Sequence, residues 1–137
     1  MSDIEMEPLL SIQLFGHLPA YRPGDMLTCD YQIDAVEEGE VQAVEASVLW
    51  FTDGKGDQDM GVHFFERRQA SDLSEGDLRE LYRFQVQLPN SPLSYDGELV
   101  QIQWCVRLRV FLRHGREACL EHPFRLGHPP ADDYMTP

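Results

Sequence analysis

A chain of 137 residues, 42% apolar and 26% charged, has the size of one domain and enough apolar groups to close a core without staples, which excludes a disordered or fibrous protein. Its formal charge of −13 opposes nucleic acid and anionic lipid as partners, because phosphate is bound mainly by accumulated positive charge. No apolar run approaches the roughly 18 residues that span a bilayer, and the start, MSDIEMEP, is acidic where a secretory signal is basic and then apolar, so a cytoplasmic protein without membrane insertion is expected.

Residues 1–8 read as a flexible leader. Leu10, Ile12 and Leu14 then alternate with Ser11, Gln13 and Phe15 in a first strand, and Gly16 to Gly24 turns the chain with the help of Pro19 and Pro23. In MLTCDYQID, Leu27, Cys29, Tyr31 and Ile33 alternate with Met26, Thr28, Asp30 and Gln32, the pattern of a half-buried strand. After the acidic turn VEEGE, VQAVEASVLWFT places Val44, Ala46, Val48 and Trp50 on one side and Glu45, Ser47, Leu49 and Phe51 on the other, so both faces become apolar at its end. Asp53 to Gly61 is a loop by composition, Val62 to Arg68 a weaker strand, and 69–77 a polar connection. The stretch from Ser71 to Leu81 has room for one short helical turn.

LYRFQVQLP turns Tyr82, Phe84, Val86 and Leu88 inward and Arg83, Gln85 and Gln87 outward. A proline-punctuated turn then enters the strongest period-two segment of the chain. Val100, Ile102, Trp104, Val106, Leu108, Val110 and Leu112 share one face; Gln101, Gln103, Cys105, Arg107, Arg109 and Arg113 share the other. A last strand near 116–126 carries Ala118, Leu120, Phe124 and Leu126 on one side, and 128–137 reads as a flexible tail.

About seven strands separated by turn signals, with no helical window, predict an all-β chain whose residues 9–127 form a single antiparallel, immunoglobulin-like β-sandwich. Cys29, Trp50 and Cys105 imitate the Cys, Trp, Cys order of an immunoglobulin domain, but Cys105 has the opposite phase to Trp104 and should face away from the core. The three cysteines, Cys29, Cys105 and Cys119, are therefore expected as reduced thiols.

YRPGD at 21–25 resembles the Y-x-P-G-[DE] entry into a strand found in the arrestin-like fold family. FQVQLP at 84–89 and SPLSYDGELVQIQWCVRLRV at 91–110 are similar to later elements of that family, the second to its P-x-S-[YF]-x-G turn followed by a long alternating strand. The family includes the eukaryotic arrestins, the Vps26-type retromer subunit and bacterial sporulation-control proteins. The resemblance covers about 100 residues and implies a non-enzymatic adaptor or recognition module. The chain departs from full arrestins in having length for one sandwich only. No residue of their charged core can be placed on it, so phosphate sensing is not carried over.

Among possible sites, the outward row Arg107, Arg109 and Arg113, with Arg83 if its strand is a neighbour, concentrates positive charge and could hold an acidic or phosphorylated peptide by bidentate bonds. Cross-strand pairing with Glu117 and Glu121, worth roughly 0.2–1 kcal/mol per pair, competes with that role. An unpaired edge strand is a second route to a protein or peptide partner. Leu49, Phe51 and Phe111 have solvent-side phase yet are apolar, which predicts either a partner interface or a covering loop. Asp53, Asp57 and Asp59 offer oxygens to calcium but lack the EF-hand pattern; His17, His63, His114, His122 and His128 form no zinc spacing. Trp50 and Trp104 lie in phase with aliphatic neighbours and are expected in the core; exposed indoles would instead make a sugar-binding platform, the alternative ligand-binding reading. No nucleophile elbow or phosphate-cradling glycine loop occurs, so neither a catalytic residue nor a cofactor is assigned.

Overall fold

The computed structural model describes residues 7–16 and 20–127. The expected leader and tail fall largely or wholly outside those residues, as do His17 and His128. Eight strands are described: β1 Leu9–Phe15, β2 Met26–Asp34, β3 Val41–Gly54, β4 Met60–Gln69, β5 Tyr82–Gln87, β6 Tyr95–Asp96, β7 Val100–Leu112 and β8 Glu117–Phe124. Single 3-10 turns occur at Leu73–Glu75 and Arg113–Gly115. The strands make two antiparallel sheets, one of order β1-β2-β5 and one of order β4-β3-β7, in which β6 and then β8 pair with successive lengths of β7. This is the antiparallel sandwich that the alternation predicts.

The core forms where the inward residues of the two sheets meet. Leu27, Cys29, Tyr31 and Ile33 of β2 face Val44, Ala46 and Val48 of β3 and Trp104, Val106, Leu108 and Val110 of β7, all buried. Burying each large apolar side chain stabilises by about 1.5–3 kcal/mol. In the β3/β7 register, Val44 lies opposite Val110, Ala46 opposite Leu108, Val48 opposite Val106 and Trp50 opposite Trp104. Phe64 of β4 stacks on Phe84 of β5 with centroids 4.8 Å apart, joining the sheets along one side.

The three motifs behind the family resemblance are joined physically. Tyr21 is buried and donates to Phe15 O at 2.7 Å; Asp25 accepts the Arg22 N–H, while Gly24 takes φ +87° in the turn, a region that glycine enters without steric cost. The Gly24 N–H then donates to Leu88 O and the Leu88 N–H to Asp25 O, so YRPGD is stitched to the end of FQVQLP. The SPLSYDG turn is held by the Trp104 indole, whose Nε1–H donates to Pro92 O at 2.8 Å, and by Ser94 N–H to Leu126 O.

Three expectations need correction. The proline-rich turn contains a strand of its own, β6, which is only two residues long and so has no period to read. The strand expected at Val62 to Arg68 runs from Met60 to Gln69; β4 bulges opposite Val48, where His63 and Phe64 fall in succession and the alternation that would mark the strand is lost. Finally, β5 pairs with β2 in the smaller sheet, so Arg83 does not join the arginines of β7.

Candidate functional site

The arginines are placed by two different sheets. Arg83, outward on β5, reaches across to Asp30 of β2 with a two-pronged contact, Nε to Oδ1 at 2.7 Å and Nη2 to Oδ2 at 3.1 Å, and lies over the Phe15 ring. Hydrogen bonding from Arg83 holds the Asp30 carboxyl below the usual carboxylate range. Arg107 and Arg109 stand together on the outer face of the larger sheet, and both are engaged. Arg107 Nε meets Glu121 Oε2 at 2.7 Å, and Arg109 Nη2 meets Glu117 Oε1 at 3.0 Å. Glu45 of β3 bridges Arg109 to Arg67 of β4, and both guanidinium groups lie about 5 Å from the Phe111 ring centroid. Arg113 is exposed in the 3-10 turn beyond β7.

Beside this lattice of charges the same face is apolar. Leu49 is 1% exposed and Cys105 2%, although neither belongs to the core between the sheets. Phe51 and Phe111 are half-buried, while Met60, Val62 and Phe65 of β4 expose 54%, 53% and 54% of their surface. The described strands lie within or behind this sheet and none crosses its outer face.

β4 is also the border of that sheet, and its phase can be fixed. Thr52 N–H donates to Asp59 O and Ala70 N–H to Gln42 O, each at 2.9 Å. Bonded and non-bonded pairs alternate in an antiparallel ladder, so Met60, Val62, Phe65 and Arg67 turn their own N–H and C=O groups away from β3. No described strand pairs with them. The other borders are more guarded: β8 carries Pro123, Glu117 and Glu121, and β5 is six residues long with its Gln87 C=O contacted by His63 Nε2 at 2.7 Å. β1 approaches β8 without pairing; between them lies a cleft of about 350 Å³ lined by Ile12, Leu14, Tyr21, His122, Phe124 and Arg125.

At the end of β4 a polar cluster links the sheets. Arg68, only 4% exposed, donates from Nε to Glu75 Oε1 at 2.9 Å and from Nη1 to Tyr31 OH at 3.2 Å, and stacks over the Tyr82 ring. Burial works against its charge, but the bonds to Glu75 and Tyr31 outweigh that and raise its pKa. Tyr82 OH donates to Glu66 Oε2, whereas Glu66 Oε1 is buried with no hydrogen-bond partner. Sequence periodicity gives no signal for this cluster, because its members come from four segments.

The residues considered for other chemistry are differently disposed. Trp104 is buried and Trp50 packs against the core, with Gly61 leaving the space that the Trp50 indole occupies. Among the described residues no three Asp, Glu, His or Cys side chains converge to hold a metal ion, and Asp59 is tied into its loop through Thr52 and Met60. The described cysteines are all free. Burial pushes the Cys29 thiol up to about 12 and the Cys105 thiol to about 11, so both are protonated and unreactive near neutrality. No helix among the described residues is long and apolar enough to cross a membrane.

No family model matches the chain, and no curated protein does. Among solved structures, the crystal structure of Spo0M, a sporulation control protein from Bacillus subtilis, matches with a TM-score of 0.59 at 10% sequence identity. The match covers 89% of this chain and 50% of Spo0M, so this chain spans about half the length of that protein. The likeness is one of fold: an arrestin-like β-sandwich.

Proposed function

We propose that this chain is a non-enzymatic, intracellular adaptor module, with residues 9–127 as its folded unit, that takes an extended segment of a partner protein onto the free border of β4. The observation that carries this reading is the combination found there: ten residues of strand without proline or lysine, with outward main-chain groups at Met60, Val62, Phe65 and Arg67 and half-exposed apolar side chains at three of those four positions. An added strand gains main-chain hydrogen bonds from the border and side-chain contacts from alternate residues. Docking of this kind needs no chemical step and no cofactor.

The arginine row offers a less favourable route. A carboxylate or phosphate arriving at Arg107 and Arg109 must exchange with Glu121 and Glu117, which already occupy the donors. A strand arriving at β4 breaks no ion pair and exchanges only with the Asp59 carboxylate that accepts the Met60 N–H.

Selection from a displayed library of extended peptides tests the proposal. Peptides of alternating apolar character should be enriched by the native chain and by Arg67→Ala, which keeps the main-chain donor. They should bind Arg67→Pro at least tenfold more weakly, because proline removes the outward N–H. Equal binding to Arg67→Ala and Arg67→Pro would refute edge addition.

A further inference from the structure

The outward N–H groups of β4 are not all alike. That of Met60 already donates to Asp59 Oδ1 at 3.0 Å, so this carboxylate lies in the strip where an added strand places its carbonyls. Asp59 itself is fixed at that spot by Thr52. Its N–H donates to Thr52 Oγ1 at 2.8 Å, and the Thr52 N–H donates to Asp59 O at 2.9 Å. A strand arriving at the border must turn the carboxylate aside, yet the residue stays where it is. The released charge then remains beside the end of the newcomer.

The surroundings of Asp59 offer that charge little relief. Asp53, Asp57 and Asp59 share their loop with Lys55, and the Lys55 N–H, bonded to Leu99 O at 3.1 Å, brings the chain next to Glu98 into the same corner. Among the described residues none of these five side chains lies in an ion pair, whereas most of the arginines are bound to carboxylates elsewhere. At the far end of β4 the charges are closed, Arg67 on Glu45 and Arg68 on Glu75. The border therefore has apolar side chains along its middle, paired charges at one end and unpaired carboxylates at the other.

We propose that the segment taken up by β4 carries lysine or arginine beside its apolar alternation, at the end that lies against Asp59. Its cation receives the carboxylate while its main chain takes the Met60 N–H. The inference rests on the adaptor reading and narrows the partner to a basic extended segment. An uncharged segment leaves the carboxylate to water, and an acidic one meets both that carboxylate and a chain of formal charge −13.

Three labelled peptides with one alternating apolar core, flanked at both ends by lysine, serine or glutamate, test it by fluorescence anisotropy with the full chain. At low salt the lysine-flanked peptide should bind about tenfold more tightly than the serine-flanked one and the glutamate-flanked one most weakly, a margin that narrows as salt is added. Asp59→Asn keeps an acceptor for the Met60 N–H without the charge, and should cut the lysine-over-serine preference about threefold. Asp34→Asn removes the same charge from an exposed position on the smaller sheet and should leave the preference within about 1.5-fold of native. Equal affinity for the three peptides, or equal cuts by the two variants, would overturn the inference. If those peptides still bind Arg67→Pro about tenfold more weakly, edge addition survives that failure. Absence of binding by all three would end both readings.

Discussion

On the three-stranded sheet the outward residues of β2 and β5 are polar apart from Met26, among them Thr28, Asp30, Gln32, Arg83, Gln85 and Gln87; on the five-stranded sheet those of β3 and β4 add Leu49, Phe51, Met60, Val62 and Phe65 to Glu45, Ser47 and Arg67. The smaller face satisfies itself with polar bonds such as Gln85 Nε2–H to Thr28 Oγ1 at 3.0 Å and the Arg83 to Asp30 fork. The larger face buries Leu49 and Cys105 on the side away from the core. Both sheets enclose the same interior, so fold stability explains their inner faces equally. It does not explain why one outer face is packed and apolar. That asymmetry is the feature from which a contact surface is inferred.

Thiol chemistry gives the largest expected separation. Cys105 and Cys119 both point outward from the five-stranded sheet, but only Cys119 is exposed. In dilute solution near pH 8 a thiol reagent should modify Cys119 promptly. Cys105 and Cys29 should react only as the chain opens, slower by several orders of magnitude for a domain stable by about 5–15 kcal/mol. Counting modified sulfurs by mass spectrometry checks this, and prompt reaction at Cys105 would mean that the outer face is not packed.

Next in size is Leu49→Ala. Although it points away from the core, the loss of a fully covered leucine should destabilise by about 2–3 kcal/mol in urea unfolding. Gln85→Ala on the smaller sheet should stay within about 0.5 kcal/mol. Similar values for the two substitutions would erase the contrast between the faces.

The smallest effect is a pH dependence confined to the three-stranded face. Because Arg83 depresses the pKa of Asp30 in the folded chain, the pair contributes stability above the ordinary carboxylate value near 3.9, and that contribution is lost as pH falls through the depressed value. Arg83→Ala should therefore destabilise the chain slightly at pH 7 and less near pH 2. Unfolding midpoints at the two pH values measure the difference, and an equal loss at both would assign Arg83 a packing role over Phe15 only.

Much of this architecture is legible from side-chain alternation. β7 reads correctly at every position from Val100 to Leu112, and so does the outward phase of Cys105, because a period of two fixes which face a residue occupies. Alternation does not say which strands are neighbours. For that reason Arg83 could be phased but not assigned to a sheet. It also fails at a bulge, where His63 and Phe64 fall in succession, and this hides the full length of β4 and with it the exposed Met60. The apolar outward phase of Leu49, Phe51 and Phe111 and the outward arginines of β7 are the legible signs of the candidate face; Val62 and Phe65 add to it only once the register is known.

The cluster around Arg68 bears on how this sequence can drift. Replacing Arg68 alone by an apolar residue would take the donor from the Glu75 carboxylate and the Tyr31 hydroxyl and the cation from the Tyr82 ring that bonds Glu66, while replacing Glu75 alone would weaken the anchorage of a guanidinium that lies almost wholly out of water. Positions 31, 66, 68, 75 and 82 are thus held hostage to one another. Descendants of this chain should keep the quintet or exchange it together for a greasy plug, seldom in single steps.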